Sequence, residues 1–190
     1  MNLTKLIFVL VAILMVAVPF CTSKSQDNGN SETESSKSLV AYFSATGTTA
    51  KVAQRIASIT GSDLLEIVPV ERYTDADLDW RDSLSRSTVE MMDRNSRPSI
   101  VDTVVDMSKY SIVYIGYPNW WNTAPRIINT WIESNNLDGK IIVPFMTSGG
   151  GGIEQSELDL SEAYPALNWK KGMLLNDVTD EEIRELLNEN

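Results

Sequence analysis

Four short apolar runs punctuate this chain: LVAYF (39–43), LLEIVPV (64–70), SIVYIGY (111–117) and KIIVPFM (140–146). Runs so dense in β-branched and aromatic residues suit strands buried on both faces, the situation inside a parallel sheet. The stretches between them favour helices. Val52, Ala53, Ile56 and Ala57 fall at helical spacing, with Lys51, Gln54 and Arg55 opposite and Gly61 as a stop. A second helical pattern covers about 124–135. A weaker strand is expected at 172–176, before a final helix whose Thr179 and Glu182 form a capping-box pattern. Alternating strands and helices predict an α/β domain with a parallel sheet covered on both faces. The link 71–110 is mostly polar; Asp75–Met92 is expected as a surface helix, ended by Arg97-Pro98. Residues 154–169 read as a short, irregular segment.

Composition removes whole classes of chemistry. The chain has no histidine and a single cysteine, Cys21. A Ser-His-Asp triad, a Cys-His dyad, a His/Cys zinc site, haem ligation by histidine and an internal disulfide are all excluded. Difficult chemistry therefore falls to carboxylates, hydroxyls, backbone groups or a bound cofactor. The formal charge of −10 argues against nucleic acid or anionic lipid as a partner for the folded domain.

The N-terminal part reads as address and tether. Residues 1–20 carry one charge, Lys5, and an apolar run from Leu6 to Val18. That run is short of the roughly 20 residues a spanning helix needs and suits a signal-peptide core. Cys21 follows at once, which resembles the lipid-modified cysteine of bacterial lipoproteins, although Phe20 departs from the small residue usual before it. Residues 21–38 contain no apolar residue after Cys21, so a disordered polar tether is expected there. The folded domain is expected over 39–190. The implied location is outside the cytoplasm, moored to the periplasmic or outer face of a bacterial membrane.

Ligands of open parallel sheets sit beyond the carboxyl ends of the strands. Three loops qualify. SATGTT (44–49) offers hydroxyls, Gly47 and a helix N-terminus, which suits a phosphate; an ordinary turn with threonine caps is the alternative. YPNWWNTAP (117–125) places Trp120 and Trp121 in a polar loop, where a planar ligand gives one of them a stacking partner. Packing of both under the 71–110 link is the alternative. TSGGGG (147–152) lets backbone approach a flat ligand closely, or is a flexible connection.

Taken in order, the three loops resemble the flavodoxin family over about 39–187. SATGTT stands where that family has S-x-T-G-x-T. GYPNWWNTAPRIINTWIE (116–133) looks like the G-x-P-x-W-W-x-x-x-P segment of a bacterial flavodoxin-like subgroup, and TSGGGGI (147–153) is similar to its third loop. The resemblance implies a doubly wound five-stranded parallel sheet of order 2-1-3-4-5 and one bound FMN. By the same resemblance Ser44, Thr46, Gly47, Thr48 and Thr49 hold the FMN phosphate. Pro118, Asn119, Trp120, Trp121, Asn122 and Thr123 line the flavin ring, with Trp120 or Trp121 stacking on it. Thr147, Ser148, Gly149 and Gly150 border its other edge. The implied function is electron transfer, with a redox protein or a membrane quinone as partner; a stacked tryptophan and nearby acidic groups are expected to hold the potential below that of free FMN. An FMN-dependent NAD(P)H:quinone-type reductase and a flavin-free binding module are the alternatives. No catalytic residue and no metal site is expected.

Overall fold

The computed structural model describes residues 37–101 and 104–189. The expected signal peptide, Cys21 and most of the tether lie outside the described residues. The described chain runs β1 (Lys37–Tyr42), α1 (Thr48–Thr60), β2 (Asp63–Glu66), α2 (Arg86–Met92), β3 (Tyr110–Pro118), α3 (Arg126–Ser134), β4 (Ile141–Thr147), α4 (Glu154–Ala163), β5 (Asn168–Trp169), β6 (Met173–Leu174) and α5 (Asp180–Asn188).

The sheet is parallel, in the order β2-β1-β3-β4-β5, with β6 also paired to β4. β5 and β6 share the fifth strand position. Ile142 pairs with Trp169 and Phe145 with Met173, so the edge chain carries one residue more than β4 between these points, a bulge. The order is the expected 2-1-3-4-5, with the fifth strand broken in two.

Strand alternation sorts side chains to two cores. Leu39, Ala41, Phe43, Val113, Ile115 and Tyr117 join Ile127, Ile128 and Trp131 of α3. Val40, Tyr42, Tyr114, Val143 and Phe145 join Val52 and Ile56 of α1 and Ile183 of α5. Opposite pleat faces thus receive opposite helix layers. Gly116 of β3 pairs with Phe145 of β4, whose ring lies where a side chain at 116 would go: an added Cβ meets Phe145 Cζ at 2.1 Å.

Three elements differ from the sequence expectation. β2 ends at Glu66 because the chain turns away at Pro69: Val70 N–H donates to the Ser99 carbonyl at 2.9 Å and Val101 N–H to that of Val68 at 2.8 Å. Within 75–92, only 86–92 is an α-helix. Upstream, carboxylates capture nearby backbone instead, Asp77 from Thr74 N–H (2.8 Å), Asp79 from Arg81 N–H (3.1 Å) and Asp82 from Leu84 N–H (2.8 Å). Residues 154–163, expected to be irregular, form α4. Its inward face is Ser156 and Leu160, too little apolar periodicity to show in the sequence. Ser156 Oγ donates to the Tyr117 hydroxyl at 2.7 Å, which seats the helix on β3.

Candidate functional site

The carboxyl ends of β1, β3 and β4 deliver their loops to one cavity of about 730 Å³. That volume lies within the usual range for small-molecule sites. Of the expected residues, Thr46, Pro118, Asn119, Trp120, Trp121, Asn122, Ser148, Gly149 and Gly150 line it. Ala45, Leu78, Trp80 and Ser87 complete the wall, and none of the lining side chains is charged.

The first loop prepares an anion cradle. Ser44 Oγ accepts a hydrogen bond from Gly47 N–H at 3.1 Å, closing the turn. Gly47 caps α1 in the left-handed region with φ 89°, and no side chain caps the helix. Its first turn carries no acid, whereas α5 begins with Asp180, Glu181 and Glu182 and a complete capping box. The first N–H groups of α1 are therefore free to meet an external acceptor, favoured by the helix dipole. Thr46 and Thr48 are exposed, with their hydroxyls 3.5 Å apart. Thr48 faces an adjoining cavity of about 380 Å³ that also includes Lys51, Arg55 and Ser148.

Two expected contacts turn inward. Thr49 is 1% and Thr147 4% exposed, and their hydroxyls hydrogen-bond each other at 2.8 Å. This pair pins the start of α1 to the end of β4; any contact Thr49 makes to a phosphate goes through its backbone. Thr123 is also buried, closing the next loop.

The second loop is a two-residue turn. Trp120 and Thr123 exchange backbone hydrogen bonds at 3.1 and 3.0 Å around Trp121 (φ 50°) and Asn122 (φ 63°). Two successive left-handed residues define the tight primed hairpin turn. Tryptophan is an unfavourable occupant of that region, at about 1–2 kcal/mol. Strain of this kind gathers at ligand sites. The turn gives the two tryptophans different work. Trp120 packs edge-on against Phe43 (5.6 Å) and Tyr73 (5.2 Å). Trp121 is exposed at the cavity and is the ring free to stack.

Tyr73 belongs to the polar link, so one of the tryptophans does pack beneath it. Its hydroxyl donates to Glu90 at 2.5 Å, Glu90 accepts from Arg86 Nε at 2.7 Å, and the Arg86 guanidinium lies 4.1 Å over the Tyr73 ring. Burial, then the Glu90 hydrogen bond, drives the Tyr73 phenol far above its usual range and keeps it neutral. This cluster fixes the link that carries Leu78, Trp80 and Ser87 to the cavity. Sequence reasoning did not find those three. The available signal was Trp80, an aromatic residue in an otherwise polar stretch.

Asn119 joins the second loop to the third. Its Nδ2 donates to Ser148 Oγ and to the Gly150 carbonyl, both at 2.9 Å, and its N–H to the Thr147 carbonyl at 2.8 Å. Asn176 braces Ser148 from the other side, accepting from Ser148 N–H at 2.8 Å and donating to its carbonyl at 2.6 Å. Gly151, at φ 89°, leaves no room for a side chain: an added Cβ would lie 2.8 Å from Asn122 Oδ1 and 3.3 Å from Asn119 Nδ2. The third loop is thus tied down on both flanks.

Two buried polar atoms of the lining residues have no partner, Asn119 Oδ1 and Ser87 Oγ. Unmade buried hydrogen bonds are costly, and a polar-edged ligand would complete them. Among the described residues there is no cluster of carboxylates able to hold a metal ion, and no helix is long and apolar enough to cross a membrane.

A family model described as flavodoxin matches residues 37–190. A protein assigned as a flavoprotein from Bacteroides eggerthii is 52% identical, with a TM-score of 0.79 over 80% of this chain and 96% of its own. Its counterpart from Bacteroides uniformis is 49% identical, with a TM-score of 0.78 over 80% and 97%. A flavoprotein from Lactobacillus acidophilus, solved in complex with FMN, is 25% identical, with a TM-score of 0.62 over 79% and 97%. No curated protein matches the chain.

Proposed function

The chain belongs to the flavodoxin family, and from that premise we propose that it transfers electrons through one non-covalently held FMN in the cavity at the carboxyl edge of the sheet. The cofactor is FMN, on the family match and the FMN complex of the Lactobacillus relative. The observation that carries the reading is an exposed tryptophan and two unpartnered buried polar atoms around one uncharged cavity, with the uncapped N-terminus of α1 at the cavity that adjoins it.

The residues present fit the group. Ser44, Thr46, Gly47 and Thr48 would hold its phosphate, with the first N–H groups of α1 as donors. Trp121 would stack on the ring, and Asn119 and Ser87 would meet its polar edge. FMN supplies one- and two-electron redox chemistry when bound. Asn119 and Asn176 hold the loops in place beforehand, which lowers the entropy cost of binding. Trp80 and Leu78 exclude water from the side facing the link.

No lining cation stabilises negative charge on a reduced ring, and the chain as a whole carries −10. This supports a potential below that of free FMN. The expected acidic neighbours are not in the cavity wall, so aromatic stacking and low polarity carry this effect. A redox titration giving a potential above that of free FMN would contradict it. Carrier and reductase are separated by anaerobic mixing with NADPH. The carrier reading expects slow or no bleaching of the flavin; rapid bleaching would make the protein a reductase.

The placement we propose is outside the cytoplasm, on a lipid anchor at Cys21. It rests on the apolar run and polar spacer that flank that cysteine. Soluble NAD(P)H is cytoplasmic, so this placement favours a redox protein or a membrane quinone as partner. Cys21→Ser should move the protein from the membrane to the soluble fraction.

A further inference from the structure

A second cavity, of about 290 Å³, opens between the 94–97 segment, the start of α3 and α4. Its wall includes Arg94, Arg97 and Arg126 facing Asp159 and Glu162. Three guanidinium groups thus gather beside two carboxylates on a chain of charge −10. The arginines are not equivalent. Arg97 is spent on Glu133, which it grips through Nε and Nη2 at 2.8 Å each. Neither Arg94 nor Arg126 forms an ion pair among the described residues.

Arg126 is the more telling of the two. It reaches the Met91 carbonyl through Nη2 at 3.2 Å, while its buried Nε has no acceptor. Burial, then the charge of Arg94, holds its guanidinium below the ordinary range. Asn129, one turn along α3 and 7% exposed, donates to the Tyr164 hydroxyl at 3.0 Å and leaves Oδ1 unpartnered. Asp159 and Asp93 act on Arg126 through space but form no close ion pair with it, and a partly buried cation with an unmet donor is costly to keep. Guanidinium groups favour phosphate and carboxylate, which they can bind through two parallel hydrogen bonds.

We propose that this cavity is a second binding site, which takes the phosphate or carboxylate of a small organic anion between Arg94 and Arg126. At about 30 Å³ per water it holds the volume of roughly ten waters, room for an oxyanion on a compact carbon skeleton. The site lies on the back of the flavin loop. Thr123 and Ala124 line it, directly after the Trp120–Thr123 turn whose other residues wall the first cavity. Its occupant therefore bears on the segment that presents Trp121. The proposal goes beyond the FMN reading and does not depend on it.

The test is a titration followed by the arginine Nε–Hε resonances in NMR, on the full chain saturated with FMN so that the first phosphate cradle is filled. Sodium phosphate and sodium succinate are compared with sodium chloride at matched ionic strength, which separates phosphate from carboxylate preference. The expected result is a saturable shift of the Arg126 Nε–Hε signal with one or both oxyanions. Arg94→Ala should weaken that binding about tenfold, the loss of one charge-assisted contact. Glu162→Gln should tighten it about twofold by removing a competing carboxylate. Shifts that chloride reproduces, or saturable binding that Arg94→Ala leaves unchanged, would overturn the proposal. Arg126→Gln is the direct variant; if it does not fold, the exposed Arg94 and Glu162 variants still decide the matter. If the chain takes up no FMN, the same titration is read on the unloaded protein, where dependence on Arg94 distinguishes this site from the first cradle.

Discussion

Asn119→Asp tests the preorganisation of the cavity with almost no change in shape. The amide Nδ2 donates to Ser148 Oγ and the Gly150 carbonyl at 2.9 Å each. A carboxylate in its place sets an acceptor against the Gly150 carbonyl and against Ser148 Oγ, whose own hydrogen is given to that carbonyl. Two ordinary hydrogen bonds contribute about 1–3 kcal/mol together. For a domain of this size that lowers the melting temperature by roughly 2–12 °C, at about 2–4 °C per kcal/mol. The third loop is also released from the second, so FMN affinity should fall about tenfold to a hundredfold.

The effect carries a pH signature. Burial among acceptors raises the folded-state pKa of the introduced carboxyl above its unfolded value near 3.9. Below that unfolded value the group is protonated in both states and donates one of the lost bonds. The penalty then grows as pH rises through the window up to the folded pKa. Thermal unfolding of wild type and variant at about pH 4 and pH 7.5, with FMN fluorescence quenching for affinity, measures both parts. Equal melting temperatures and equal FMN affinity at pH 7.5 would refute the account of how the loops are joined.

Other variants probe the frame around the cavity. Thr49→Val leaves the buried Thr147 hydroxyl without its 2.8 Å partner and should cost about 1–3 kcal/mol in denaturant unfolding, while adding Thr147→Val should restore much of that loss. Gly116→Ala drives a methyl into the Phe145 ring and should cost about 1–3 kcal/mol, with clear non-additivity in a cycle with Phe145→Leu. Burial, then its hydrogen bond to Asp63, pushes the Tyr110 phenol up to about 12. The stability this neutral phenol contributes is intact below its unfolded pKa near 10 and is lost as pH rises from there to about 12, so Tyr110→Phe should flatten part of the alkaline decline in melting temperature.

The parallel strands and the three loops were legible because they rest on local signals, whereas the sheet order followed from the family resemblance that the loops carry. Dense apolar runs mark the inner strands, and ligand loops follow strand ends by position alone. Residues that act through distant partners were less visible. Thr49 and Thr147 read as phosphate and ring contacts, but are 98 positions apart in sequence and find each other in the core. The two tryptophans are adjacent in sequence, yet the left-handed backbone at Trp121 and Asn122 sends them different ways. Trp80 and Ser87 reach the cavity only because Tyr73, Arg86 and Glu90 fold the link back over Phe43. The acids at 77, 79 and 82 turned an expected helix into successive turns. α4 escaped notice because its inward face is a serine and a leucine.

The central claim is one FMN per chain in the cavity at the carboxyl edge of the sheet. Its most direct test is the visible absorbance of the purified full chain after incubation with FMN and removal of excess, with the released cofactor identified and counted. The account predicts a yellow protein with about one FMN per chain and quenched flavin fluorescence, and a marked loss of both in Trp121→Ala. A colourless protein that retains no FMN, or retention that Trp121→Ala and Asn119→Asp leave untouched, would contradict it.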